Sequence, residues 1–112
     1  MEFIRAEEGH IMQNGENCTA TEYSTSSKSI NIAQVKISDR FPEIGVMWNT
    51  KVEEMAYVES GEGIVSINGM SQSIKQGDVI LYERHEKVFW DGELTLVIAC
   101  SPAWTPKQHV TE

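Results

Sequence analysis

The chain has 112 residues and a formal charge of −8, from 17 acidic and nine basic side chains. Scattered Lys and Arg make no phosphate-binding patch, so nucleic acid is not an expected partner. An acidic surface is repelled by anionic lipid and no apolar run approaches the roughly 20 residues of a spanning helix, so no membrane partner is expected either.

A hydrophobic content of 40% supplies a core without disulfides or a structural metal, and one domain over residues 1–112 is expected. The opening MEFIRAEEGH places acids where a signal peptide needs a basic start and an apolar centre, so the cytoplasm is the expected compartment. Cys18 and Cys100 lack the CxxC spacing of zinc or redox sites and read as buried thiols. Residues 18–23 and 30–37 supply early strands, with the polar run STSSKS as the loop between them. Ala33, Val35 and Ile37 alternate with Gln34, Lys36 and Ser38, the pattern of a half-buried strand. Further strands are predicted at 44–49 and 55–59, followed by a turn at Ser60-Gly61-Glu62-Gly63. A strand at 64–67 then meets Asn68-Gly69, a strong type I′ hairpin signal, and 70–75 pairs back on it. Gln76-Gly77-Asp78 is another turn. Strands follow at 79–82, 88–90 and 94–100, the last two separated by Asp91-Gly92. No stretch combines helical spacing with caps at both ends, and the tail after Pro102 reads as loop or edge segment.

Many short strands at this spacing predict an all-β sandwich or barrel. The order of turns resembles the cupin jelly roll, a β-barrel of two antiparallel sheets, with the matching pattern covering about residues 40–104. The first cupin motif has a glycine, an HxH pair, a glutamate three or four residues on, and a glycine about seven further. Gly45, Glu54 and Gly61 fit it. The histidine positions fall on Met47 and Asn49, or on Trp48 and Thr50, depending on the gap. Gly77-Asp78 fits the start of the second motif, whose later positions hold Glu83, His85 and Val88. The closing SPAWTPKQHV is also similar to the end of many small cupins. Cupins that carry iron, manganese, zinc or nickel hold it with three imidazoles and one carboxylate. Glu54 alone does not reproduce that set, so neither a metal nor another cofactor is expected.

By the resemblance and by strand alternation, Met47, Asn49, Glu54, Ala56, Val88 and Trp90 point into the barrel, and Trp48, Tyr57 and Phe89 point out. Met47, Asn49, Glu54, Val88 and Trp90 are therefore the candidate ligand-binding residues: apolar walls, an amide, a carboxylate and an indole. A buried Glu54 must be paired, hydrogen-bonded or protonated, and Asn49 is its expected neighbour. The plainer alternative bonds Glu54 to backbone or Arg40 and leaves Trp90 as filling. His85, in the charged run 82–87, reads either as part of a solvated turn or as a proton carrier at the pocket mouth. His10 and His109 read as exposed surface residues.

Two classes of function follow, with a third behind them. The preferred reading is a metal-independent module binding a small polar or aromatic metabolite, such as a sugar, on Trp90, Asn49 and Glu54. The alternative is a metal-free isomerase, epimerase or cyclase with Glu54 as base and His85 or Tyr82 as acid. The last is a regulatory or structural subunit. A homodimer is expected, with the N-terminal strands pairing with a neighbour or covering an open edge.

Overall fold

Ten antiparallel strands carry almost all the regular structure in the computed structural model, which describes residues 1–112. They are β1 (His10–Gln13), β2 (Cys18–Tyr23), β3 (Asn31–Ile37), β4 (Arg40–Phe41), β5 (Met47–Asn49), β6 (Glu53–Ile67), β7 (Met70–Lys75), β8 (Val79–Tyr82), β9 (Val88–Ser101) and β10 (His109–Thr111). Only two short helical turns interrupt them, at Ala6–Glu8 and Pro106–Gln108. No helix is long and apolar enough to cross a membrane.

The architecture rests on β6 and β9, which pair along their lengths from Glu53↔Ser101 to Ile67↔Val88. Around residues 53–58 and 94–101 they are flanked by β8 and by β3, and β3 continues to β2 and β1. The N-terminal strands therefore extend the sheet within their own chain. Beyond the midpoint, β7 joins β6, while β4 and β5 join β9, and β10 closes onto β5. Because two strands run through both regions, one sheet curls into the two facing halves of a jelly roll. The all-β expectation holds in this form.

Sequence reasoning split each of these long strands in two. Ser60-Gly61-Glu62-Gly63 does not turn, and Asp91-Gly92 does not separate two strands; both lie inside β6 and β9. Glycine signals a turn because it adopts positive φ, but it also allows two backbones to approach where a sheet bends. Here the second use applies. A bulge at Glu59 breaks the register between Val58 and Ser60, and Gly63 pairs directly with Gly92. The extra residue also shifts the inward parity, from Ala56 and Val58 before the bend to Val65 beyond it. By contrast, Asn68-Gly69 is the predicted tight turn, with positive φ at both residues (51° and 81°).

The inward side chains form a continuous core that includes Ala56, Val58, Val65, Val88, Trp90, Leu96 and Ile98. Trp90 and Leu96 are the largest fully buried side chains, at 1% and 0% exposure.

Candidate functional site

Between the two halves lies a cavity of about 610 Å³ whose wall includes Met47, Glu54, Tyr82, Trp90, Ile98 and Cys100. Strand register explains the polar part. Glu54, second residue of β6, is paired with Tyr82 of β8 on one side and Cys100 of β9 on the other. Cross-strand partners project from the same face, so the phenol, carboxyl and thiol form a row across the inner wall. Asn49 reaches the same place from β5, and its Nδ2 donates a short hydrogen bond to Glu54 Oε1. Cys100 Sγ lies 3.2 Å from Glu54 Oε2 and donates to it. The Asn49 Oδ1 accepts from Gln108 Nε2 at 2.9 Å and meets His109 Nδ1 at 3.1 Å. With that oxygen an acceptor only, the network assigns the His109 proton to Nδ1 and leaves Nε2 as the basic nitrogen. His109 itself lines the cavity, its ring 5.7 Å from that of Trp104.

Burial governs the ionisation of every group in this row. It raises the Glu54 carboxyl above the ordinary 4.5, against hydrogen bonds from Cys100, Asn49 and Tyr82 that pull the other way. Burial, then the negative charge of Glu54, raises Tyr82 well above the usual phenol range. The same two causes raise the Cys100 thiol. His109 moves the opposite way, lowered by burial. The site thus favours neutral forms throughout.

A pH dependence follows from Glu54. Below its ordinary 4.5 both folded and unfolded chains hold the proton; between that value and the raised folded value only the folded chain does. Its contribution is therefore complete in acid and lost as pH rises through the folded value, at about 1.4 kcal/mol per pH unit within the window. Buried His109 contributes with opposite sign, rising with pH toward its ordinary 6.5. Urea titrations of wild type and Glu54→Gln across the acid-to-neutral range separate the two: the difference in stability should change with pH, in favour of the glutamine protein as pH rises. Parallel curves would show that Glu54 ionises freely in the fold.

Of the residues singled out from sequence, Met47, Glu54, Tyr82 and Trp90 line the cavity. Asn49 is buried beside Glu54 and orients it from behind the wall. Val88 is buried in the core but does not reach the cavity surface. His85 is exposed in the turn between β8 and β9 with φ 68°, and its contact with the site is through backbone: its N–H donates to the Asn49 carbonyl at 2.7 Å. Its side chain is not part of the cavity wall. The histidine that is there is His109, which the sequence pattern alone places on the surface. Its strand is three residues long, too short for alternation to be visible, and it is placed by pairing with Asn49 across 60 residues of chain. Arg40 does not bond Glu54; its guanidinium sits 3.9 Å above the Phe89 ring and donates to the Pro42 carbonyl.

The fold leads one to ask whether a metal would fit. At the positions that correspond to the cupin ligands stand a thioether, an amide and an isopropyl group, from Met47, Asn49 and Val88. The amide is already committed on both its nitrogen and its oxygen. No group of three or more His, Cys, Asp or Glu side chains is arranged to hold an ion. The residues present do not fit the group.

No protein-family model matches the chain, and no curated protein does either. Solved structures do. Streptomyces Pac13, a nucleoside dehydratase, superposes with a TM-score of 0.88 over 100% of this chain and 91% of its own, at 18% identity. KdgF from Halomonas sp. gives 0.74 over 96% and 97%, at 15% identity. Ectoine synthase from P. lautus gives 0.70 over 89% and 79%, at 15% identity. The fold is the cupin fold. Identities this low carry the barrel and its strand order, and the cupin barrel hosts many chemistries.

Proposed function

We propose that this cupin barrel binds a small polar or aromatic metabolite in its interior and orients it on Glu54. The observation that carries the reading is the setting of that carboxyl: it sits deep in a mainly apolar cavity wall, held by Asn49 and Cys100 through its two oxygens. A cavity of about 610 Å³ with the half-buried rings of Phe41 and Trp104 as aromatic surface, Trp90 and Tyr82 packed more deeply, and an oriented carboxyl has the make-up of a metabolite pocket. Neutral sugars and nucleosides present both the apolar faces and the hydroxyls that such a wall engages. Solved structures of Streptomyces Pac13 variants with uridine support considering nucleosides. In a thermal-shift panel of neutral sugars, nucleosides and small aromatic compounds, at least one should raise the melting temperature of wild type and lose that effect in Glu54→Gln. No response to this panel or to organic cations of similar size, or a response indifferent to Glu54, would overturn the reading.

A second reading is supported by the raised Glu54 and the neutral His109 beside it. On this reading Glu54 takes a proton from carbon or oxygen of the bound molecule, while Tyr82 or His109 manages a second proton. Burial that lifts a carboxyl toward neutrality makes it a better base when it does ionise. Chemical change in a ligand identified by the same panel, abolished in Glu54→Gln with the fold intact, would distinguish enzyme from binding module.

A further inference from the structure

The cavity wall carries acids but no permanent cation. Glu22, Glu43 and Glu54 line it, and neither Lys nor Arg does. Two basic groups are engaged elsewhere: Arg40 over Phe89, and Lys87 with its ammonium 5.0 Å from the Trp48 ring. His109 does not compensate, since burial favours its neutral form. Glu43 lies at the rim, where its Oε1 accepts the Glu16 N–H at 2.9 Å and ties the β1–β2 turn to the segment before β5. Glu22 stands on β2, and its charge is felt at Cys100, the residue that bonds Glu54. Carboxylates therefore act on the interior from two strands of the wall. The same wall holds four rings, the half-buried Phe41 and Trp104 and the more deeply buried Tyr82 and Trp90. Rings and carboxylates both attract a cation, and both repel an anion or offer it nothing.

We infer that the cavity selects a small organic cation, an amine whose ammonium is taken by Glu54 and Glu22 while its carbon skeleton lies on the aromatic wall. This rests on the cavity being a ligand site, as proposed above, and narrows the ligand class. The chain's net charge of −8 adds a field that draws cations toward the barrel. Phosphorylated and carboxylated metabolites are disfavoured by the same field and find no cationic partner inside.

Proton linkage provides a signature that packing alone does not. Glu54 is faced by Tyr82 on β8, Cys100 on β9 and Asn49 on β5, with His109 of β10 behind Asn49 and Glu22 of β2 acting at Cys100. None of these supplies positive charge. An arriving ammonium does, so it favours the ionised carboxyl and binding expels a proton.

The test compares near-isosteric probes on the intact protein: 2-phenylethylamine, its neutral counterpart 2-phenylethanol and the anion phenylacetate, with choline as an aliphatic cation. Affinities come from titration calorimetry in two buffers of different ionisation enthalpy. The amine should bind about tenfold tighter than the alcohol, the anion should not bind, and the two cations, amine and choline, should release a proton on binding where the alcohol does not. Glu22→Gln and Glu54→Gln should each narrow the preference for amine over alcohol. Equal binding of alcohol and amine, or preference for phenylacetate, would overturn the charge selectivity and leave the cavity as a neutral-ligand site. Failure of all four probes and of the neutral panel would remove the cavity reading itself.

Discussion

Trp90→Ala should lower the stability of the protein by about 3–5 kcal/mol, measured by urea unfolding followed by far-ultraviolet circular dichroism. Trp90 is 1% exposed and sits where the two halves of the sheet face one another. It pairs with Phe41 of β4 and Val65 of β6, and its ring meets Tyr82 edge-on at 6.0 Å. Truncation removes the largest fully buried side chain and the aromatic contact, and it opens the existing cavity toward the centre of the barrel. Small domains have only about 5–15 kcal/mol of stability, so the loss is a large fraction of the whole. Trp90→Phe, which retains a ring, should recover much of it. A loss below about 1 kcal/mol for the alanine protein would mean that this position is not a load shared by both halves.

The second large effect is expected at the bend. Gly61 has φ 91°, and a Cβ there would stand 1.9 Å from the Glu93 carbonyl oxygen on the neighbouring strand. Gly69 has a similar φ of 81° with no atom within 4 Å of its Cβ position. The pair separates two costs that are usually confounded. Gly69→Ala bears the backbone penalty alone, about 1 kcal/mol, whereas Gly61→Ala adds displacement of a backbone carbonyl and should cost roughly 3 kcal/mol. Equal losses in chemical denaturation would show that β6 and β9 stand farther apart at this point than the register requires.

These two positions also mark where sequence reasoning succeeded and where it stopped. Residues 70–75 and 79–82 were readable as strands because polar turns bound them on each side, and the structure places β7 and β8 there. The long strands were not readable as such, because a glycine cluster has the same composition whether the chain reverses or bends under a neighbour. At the site, Glu54, Met47 and Trp90 emerged from the cupin resemblance combined with period-two alternation, which remains valid within an unbroken strand. His109 did not. Its place depends on β10 finding β5, a contact between segments 60 residues apart that no local pattern encodes.

Local chemistry in the chain thus determined strand content and the Asn68-Gly69 hairpin, because each depends on neighbours a few residues away, while the inward direction of Glu54 followed from its place in the cupin-like pattern. Tertiary structure alone decided that β6 and β9 run unbroken through both halves, that Asn49, Cys100 and Tyr82 converge on one carboxyl, and that the cavity wall holds acids without Lys or Arg. Convergence depends on register between distant strands, and register is set by the summed burial of many side chains rather than by any one motif.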